Sequence, residues 1–369
     1  MVQTDQATTQ PNLLGLERSA LEQFCLQMGE KRFRADQLLQ WIHRLGADDF
    51  SVMTNLGKTL RNRLAASARI TLPGIVLDRT ARDGTRKWVL ELRDGNRIEM
   101  VFIPEAQRGT LCISSQVGCQ LNCDFCATAR QGYNRNLDVA EIIGQAWIAQ
   151  RLLPAAPGRP SPVTNVVFMG MGEPLLNLEN VAGAVSLLLD DHAYGLARKR
   201  VTVSTAGVVP GIDRLRELAP VSLAVSLHAA DDELRDKLVP LNRRYPLAEL
   251  IPACERFIAP EKNRKVTFEY TLMDGVNDSP RQAKTLVRLL SGIPSKINLI
   301  PFNPFPGAPY RRSSEAAIER FKDVLLAHGF IATVRRTRGE EIDAACGQLV
   351  GQVQARPRRP VPRTAQVAA

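Results

Sequence analysis

From residue 138 onward the sequence alternates between two hydrophobic periods, and no other feature constrains the fold as much. Short runs rich in β-branched and apolar residues, at Asn165–Met169, Arg200–Ser204, Ser222–Leu227, Val266–Leu272 and Lys296–Ile300, read as strands. Between them lie stretches with apolar residues at helical spacing, for example Asp138–Leu152 and Ser313–His328. Strands separated by helices pair in parallel through right-handed crossovers, which predicts an α/β chain built on a full or partial β/α barrel. In such barrels the functional groups sit at the carboxyl ends of the strands.

The chain has 369 residues, more than a single hydrophobic core usually accommodates, so an accessory unit is expected beside the barrel. Residues 13–72 read as a small helical domain: Leu21, Phe24, Cys25 and Met28 recur at helical spacing, as do Leu38, Leu39 and Ile42. Its cations Lys31, Arg32, Arg34, Arg44, Lys58, Arg61 and Arg63 could contact phosphates, although any one of them taken singly reads as part of a solvated face. Residues 73–110 switch to period two, with hairpin signals at Asp83-Gly84 and Asp94-Gly95, and form a β extension. The barrel is assigned to 111–350. The polar start (1–12), the loop Leu153–Pro162 and the Pro- and Arg-rich tail (351–369) are expected to lack regular structure. A net charge of +10 suits a polyanionic partner. No run is long and apolar enough to span a membrane, and the amino terminus lacks a signal-peptide pattern, so a cytoplasmic location is expected.

Of the seven cysteines, four fall within fifteen residues, a density that in a reducing compartment points to metal or redox chemistry rather than a disulfide framework. Three form Cys119-Gln-Leu-Asn-Cys123-Asp-Phe-Cys126. Soft thiolates this close can wrap one compact metal centre. Structural zinc sites and most electron-transfer clusters use four ligands, so three would leave one iron of a four-iron cluster open. The amino and carboxylate groups of S-adenosylmethionine (SAM) can chelate an open iron, and an electron passed to the sulfonium would then generate a 5′-deoxyadenosyl radical. The spacing resembles that of the radical SAM superfamily. The simpler alternative is a zinc knuckle completed by a distant His or Cys.

The predicted strand ends carry a matching set of polar groups. Gly170-Met171-Gly172-Glu173-Pro174 follows one strand and resembles the superfamily's GEP motif; Gly allows close backbone approach and the carboxylate suits an ammonium. Ser204-Thr205-Ala206-Gly207, Ser226-Leu227-His228-Ala229 and Asn303 close three more strands with side chains able to bond ribose, adenine or carboxylate.

The chain resembles the RlmN family, the dual-specificity 23S ribosomal RNA and transfer RNA adenine-C2 methyltransferases, from about residue 14 to 350. The resemblance rests on Phe33-Arg34-Ala35-Asp36-Gln37 with Trp41-Ile42, on Ser114-Ser115-Gln116-Val117-Gly118-Cys119, on the GMGEPLLN and SLHA runs, and on the RTRG…AACGQL end. It implies a [4Fe-4S] cluster on Cys119, Cys123 and Cys126, and a SAM site lined by Gly172, Glu173, Ser204, Ser226, Leu227, His228 and Asn303. It further implies a methyl-carrying Cys346, a resolving Cys112 and a proton acceptor at Glu99. The implied partners are 23S rRNA, tRNA and an electron donor such as flavodoxin, with a monomeric enzyme.

The chemistry explains why such a set is required. Adenine C2 is electron-poor and will not displace a methyl group from a sulfonium, so a radical route is needed. Two SAM molecules are implied, one methylating Cys346 and one generating the radical that activates its S-methyl group. Attack by Cys112 on the Cys346 sulfur would release the product through a transient disulfide. Whether Glu99 or Cys112 removes the C2 proton stays open, and so does the related Cfr type of enzyme, which methylates adenine C8. A rival of another class is a zinc-dependent RNA-binding protein without catalysis.

Overall fold

A computed structural model describes residues 10–154, 161–261 and 263–351. The expected disorder at 1–9 and 352–369, and most of the loop 153–162, lie outside the described residues.

A ten-stranded sheet organises the molecule, in the order β1 (Gly74–Thr80), β2 (Arg86–Glu91), β3 (Arg97–Glu105), β4 (Arg108–Cys112), β7 (Asn165–Phe168), β8 (Val201–Thr205), β9 (Ser222–Ser226), β10 (Val266–Leu272), β11 (Ser295–Pro301) and β12 (Ile331–Val334). The strands β5 (Gln116–Gly118) and β6 (Tyr133–Asn136) form a separate antiparallel pair. The first four strands of the large sheet pair antiparallel, and from β4 onward every pairing is parallel. Among the described residues β1 and β12 each have one neighbour, so the barrel is partial.

Each parallel strand advances the sheet by one position in chain order, and all its carboxyl ends therefore lie on one rim. Helices α5 (Val139–Leu152), α6 (Leu178–Leu189), α7 (Val209–Leu218), α8 (Asp232–Leu238), α9 (Leu247–Ile258), α10 (Pro280–Leu290) and α11 (Glu315–Ala327) supply the crossovers; the short α4 (Ala127–Arg130) follows the cysteine triplet. Local chemistry sets their starts. Asp138 with Glu141, and Ser279 with Gln282, are reciprocal capping boxes. Five predicted strands appear within a residue or two of their expected bounds. Strand β12 was not anticipated: Ile331–Val334 is only four residues long, none of them fully buried, and only three residues separate it from the end of α11. The two turn signals do open hairpins, with Gly84 (φ 79°) and Gly95 (φ 76°) taking the left-handed conformation the turns require.

Ahead of the sheet, α1 (Arg18–Gln27), α2 (Arg34–Leu39) and α3 (Lys58–Ser67) form the helical region. It begins within the segment expected to be irregular: the Asn12 side chain accepts from Thr71 N and caps a short 3-10 turn. The region docks on the barrel through apolar packing and a few polar contacts. Trp147 Nε1 of α5 donates to Ile42 O (2.7 Å), and Arg18 pairs with Asp190 (2.7 Å). In this interface His43 is buried against the Tyr194 ring, 5.4 Å between centroids, and neither of its ring nitrogens has a partner among the described residues.

Burial holds His43 neutral, lowering its pKa from 6.5 to about 3. Above pH 6.5 folded and unfolded chains are both neutral there. Below it the unfolded chain takes up a proton that the folded one refuses. We therefore expect His43 to make stability fall by up to about 1.4 kcal/mol per pH unit between about pH 6.5 and 3. Denaturant titrations across that range should show a shallower acid loss in His43→Leu than in the wild type; identical slopes would contradict it.

Candidate active site

The rim of the parallel strands opens into one large cavity of about 1030 Å³, part of it open to solvent. That volume is at the upper end for small-molecule sites. Cys119, Cys123 and Cys126 form part of its wall. Their loop is closed at its base by the β5–β6 pair, where Cys119 N donates to Gly132 O (2.9 Å), and Cys126 is the residue that starts α4. Leu121 N points at the Cys119 sulfur (3.4 Å). Burial pushes all three thiols up, Cys119 to about 12. Thiolates are therefore disfavoured here unless a strongly cationic group sits among them. The nearby cation is Arg235, which is fully buried and spent on Leu227 O, Asn242 Oδ1 and Ala206 O. A soft, multiply charged iron–sulfur centre fits this donor set; a lone guanidinium does not replace it.

The strand ends line the same cavity. Gly172 (φ 97°) lets the backbone turn under the cavity, where a Cβ would lie 2.5 Å from Gln116 Cβ. Glu173 is buried, with its carboxylate held by Ala206 N (2.8 Å) and Leu175 N (3.1 Å). Burial outweighs those bonds and raises it to about 7. Ser204, Ser226 and Asn303 line the same space. His228 adopts a left-handed backbone (φ 60°), and its Nδ1 accepts Thr271 N (3.0 Å). The proton therefore belongs on Nε2, and burial, with Arg235 adding to it, keeps the ring neutral with a pKa near 3. The imidazole is thus a fixed neutral hydrogen-bond donor.

Cys346 joins the same wall from the far end of the chain. Its loop is tied across the rim: Asn303 Nδ2 donates to Cys346 O (3.3 Å), Ala127 N to Gly347 O (2.8 Å) and Thr128 Oγ1 to Leu349 O (2.7 Å). Three expected residues are not in the lining. Leu227 turns its side chain into the core. Cys112, at the end of β4, is buried and pushed up to about 12 by that burial, with the Cys346 sulfur adding to the effect. Glu99 on β3 lies behind the Cys346 loop, in contact with Lys87 (3.1 Å) and Val350 N (3.2 Å). All seven cysteines are free thiols.

Sequence reasoning passed over Glu269, Thr271 and Arg335, which also line the cavity. The signal was present for the first two. In Phe268-Glu269-Tyr270-Thr271-Leu272 the polar residues alternate with apolar ones, marking the inner face of a barrel strand. Glu269 accepts Asn298 Nδ2 (2.7 Å). Arg335 follows β12 and could not be placed before that strand was known.

Among known proteins, the family model for the ribosomal RNA large subunit methyltransferase N-terminal domain matches residues 11–70, and that for the radical SAM superfamily matches 113–286. The dual-specificity RNA methyltransferase RlmN of Marinobacter nauticus is 56% identical over 355 residues, covering 96% of each chain. The crystal structure of a radical SAM methyltransferase from Sphaerobacter thermophilus superposes with a TM-score of 0.86 at 47% identity, over 92% of this chain and 99% of that one. No helix among the described residues is long and apolar enough to cross a membrane.

The donor set leads to a direct expectation. Cys119→Ala, Cys123→Ala and Cys126→Ala should each abolish iron and sulfide binding and the visible absorbance of the anaerobically prepared protein, while leaving its fold intact. Full iron retention in all three would show that the metal sits elsewhere.

Proposed function

Since the chain belongs to the RlmN family of radical SAM RNA methyltransferases, we propose that it methylates C2 of an adenine in 23S rRNA and of the adenine 3′ of the anticodon in tRNAs. The observation that carries this reading is the shared cavity. Three thiols, four polar strand ends and Cys346 face one space, although Cys346 lies 220 residues beyond Cys126.

In this reading Cys119, Cys123 and Cys126 would hold the cluster, and Gly172, Glu173, Ser204, Ser226, Leu227, His228 and Asn303 would hold SAM. The cluster, with SAM on its open iron, would supply the one-electron cleavage that makes an organic radical. The remaining work falls to this chain. Glu173 pairs with the SAM ammonium, and the cation holds the carboxylate ionised despite its burial. His228 Nε2 donates a hydrogen bond without competing for a proton. The Cys346 thiolate accepts a methyl group from sulfonium, and the S-methyl carbon, once it has lost a hydrogen, adds to adenine C2. Glu99 or Cys112, both placed behind the Cys346 loop, takes the C2 proton. Burial raises the proton affinity of the Glu99 carboxylate, which strengthens it as a base; the same effect holds Cys112 as a neutral thiol, which must lose its proton before it acts as base or nucleophile. The Cys112 thiolate then attacks the Cys346 sulfur to form a Cys112–Cys346 disulfide; the released methylene carbon takes up a proton to complete the methyl group, and the unpaired electron left by the addition would pass to the bound cluster.

The target adenine must leave its stack for C2 to be reached. The helical region, with its arginines and lysines, and the net charge of +10 suit phosphate contacts made outside the cavity. The same reading takes the enzyme to be cytoplasmic and monomeric, and to be reduced by a small redox protein of the flavodoxin kind.

Labelled SAM and RNA under anaerobic, reducing conditions test the whole reading. Digested product should co-migrate with 2-methyladenosine; co-migration with the C8 isomer would assign the Cfr-type reaction, and a colourless zinc protein without SAM cleavage would end the enzymatic reading. For the SAM site, Glu173→Ala should retain the cluster and bind SAM about 1–3 kcal/mol more weakly, as loss of a charge-assisted hydrogen bond implies. Equilibrium dialysis would measure it, and unchanged affinity would leave Glu173 a purely structural cap.

The two remaining cysteines should fail in different ways. Cys346→Ala should take no methyl label and give no RNA product. Cys112→Ala should still label Cys346 and add to RNA, then stay covalently attached through a methylene bridge that no thiol is placed to break. A nuclease-sensitive shift on a denaturing gel reports the trapped species. Normal turnover by Cys112→Ala would refute its resolving role.

A further inference from the structure

Behind the cavity, where the β extension meets the Cys346 loop, lies an ion pair whose lysine the reaction as described leaves without a task. Lys87 of β2 and Glu99 of β3 are diagonal neighbours in the antiparallel ladder, since Lys87 pairs with Val101 and Glu99 with Val89. Their charged groups meet at 3.1 Å, and the side chains are only 6% and 4% exposed. A buried pair of this kind loses much of its Coulomb gain to desolvation, and apolar residues of similar volume often serve stability as well. Net stability is therefore a poor explanation for it.

The remaining hydrogen bonds of the two side chains point elsewhere. Lys87 Nζ donates to Asp343 O (3.1 Å), and Glu99 Oε2 accepts Val350 N (3.2 Å). These contacts fall three residues before Cys346 and four after it. Asp343 needs such support, because it is one of two non-glycine residues with positive φ (52°) among the described residues. Glu99 itself is fixed to the barrel: Ser114 Oγ, just beyond β4, donates to Glu99 O (2.6 Å). The hairpin turn adds a further tie upstream, where Gly339 N donates to Asp83 Oδ2 (3.2 Å).

We infer that the Lys87–Glu99 pair is a clasp that fixes both ends of the 343–350 segment, making Lys87 a positioning residue for the reaction of Cys346. The pair joins two points of the loop to one rigid part of the sheet, so Cys346 can move only within a span of a few residues. Its functional half rests on the reading of Cys346 as the methyl carrier. Its mechanical half does not. Glu99 thereby has a positioning role that is separable from proton transfer: an amide at this position could still accept Val350 N–H, but could not take a proton from a base.

The test is amide hydrogen exchange on the cluster-loaded enzyme, followed at 340–350 and, as a control, at β9 and α6. Lys87→Met and Glu99→Leu should each speed exchange in 340–350 about tenfold, the scale of one lost buried hydrogen bond, and leave the control segments unchanged. Glu99→Gln should stay near the wild type there. Lys87→Gln, which keeps a donor for Asp343 O, serves if Lys87→Met does not fold; it should show a smaller effect in the same direction. In Lys87→Met, methyl labelling of Cys346 should slow about tenfold while SAM affinity, read by dialysis, is unchanged, since Lys87 lies outside the cavity. Unchanged exchange at 340–350 in a folded Lys87 variant, or loosening that spreads equally to β9 and α6, overturns the clasp. If 340–350 loosens as expected but the wild type never places label on Cys346, the clasp stands and the methyl-carrier reading falls.

Discussion

Parallel pairing from β4 to β12 is the constraint on which the rest depends. With right-handed crossovers, every parallel strand ends on the same rim, whatever the helices between them contain. Residues as distant in sequence as Gly172, Ser204, Ser226 and Asn303 are therefore gathered without any direct attraction between them. The cysteine loop and the Cys346 loop then need only cross that rim to enclose the cavity. They are also bonded to each other, through Ala127 N with Gly347 O and Thr128 Oγ1 with Leu349 O.

Desolvation dominates the electrostatics of this enclosed space, and its sign differs group by group. It raises the thiols and Glu173, and it lowers His228. Burial thus favours the neutral forms of these groups, whereas Arg335 in the same lining is shifted toward its charged form by the Cys346 sulfur and Glu269 beside it. In the proposed reading, a metal centre among the thiols and an ammonium beside Glu173 would supply the positive charge that ionises them. Arg235 does not supply that charge. Its guanidinium is held by backbone carbonyls at the ends of β8 and β9 and by Asn242, so it acts as a strut joining two strand ends.

The two additions to the barrel do different things. The helical region packs on α5 and on the segment around Asp190–Tyr194, on the outer side of the helical layer, and leaves the cavity lining to the barrel and its loops. The antiparallel strands extend the same sheet past β4, and their inner surface receives the 339–351 segment. The loop that carries Cys346 is tied there to a buried ion pair and to a hairpin turn.

Much of this protein was legible before any coordinates, because some signals are local. Hydrophobic period distinguishes strand from helix over five to fifteen residues, so β7 to β11 and the capped helices could be read directly. Metal-ligand spacing is local too: three thiols on one short loop must lie close together in any fold. Strand β12 and Arg335 stayed hidden, since Ile-Ala-Thr-Val is too short a run to be told by periodicity from the end of the helical segment just before it. The orientation of Leu227, the withdrawal of Glu99 and Cys112 from the cavity lining, and the contact between Lys87 and the Cys346 loop could be settled only by tertiary structure. Each depends on which face of a strand meets a segment far away in sequence. Lys87 and Asp343 are 256 residues apart, and nothing in either neighbourhood encodes the other. The sequence by itself determined the elements, the likeness of its motifs and the ligand chemistry. The tertiary structure decided which polar groups share a cavity and which hold it in place, because burial and hydrogen bonding between distant segments exist only once the sheet has closed around them.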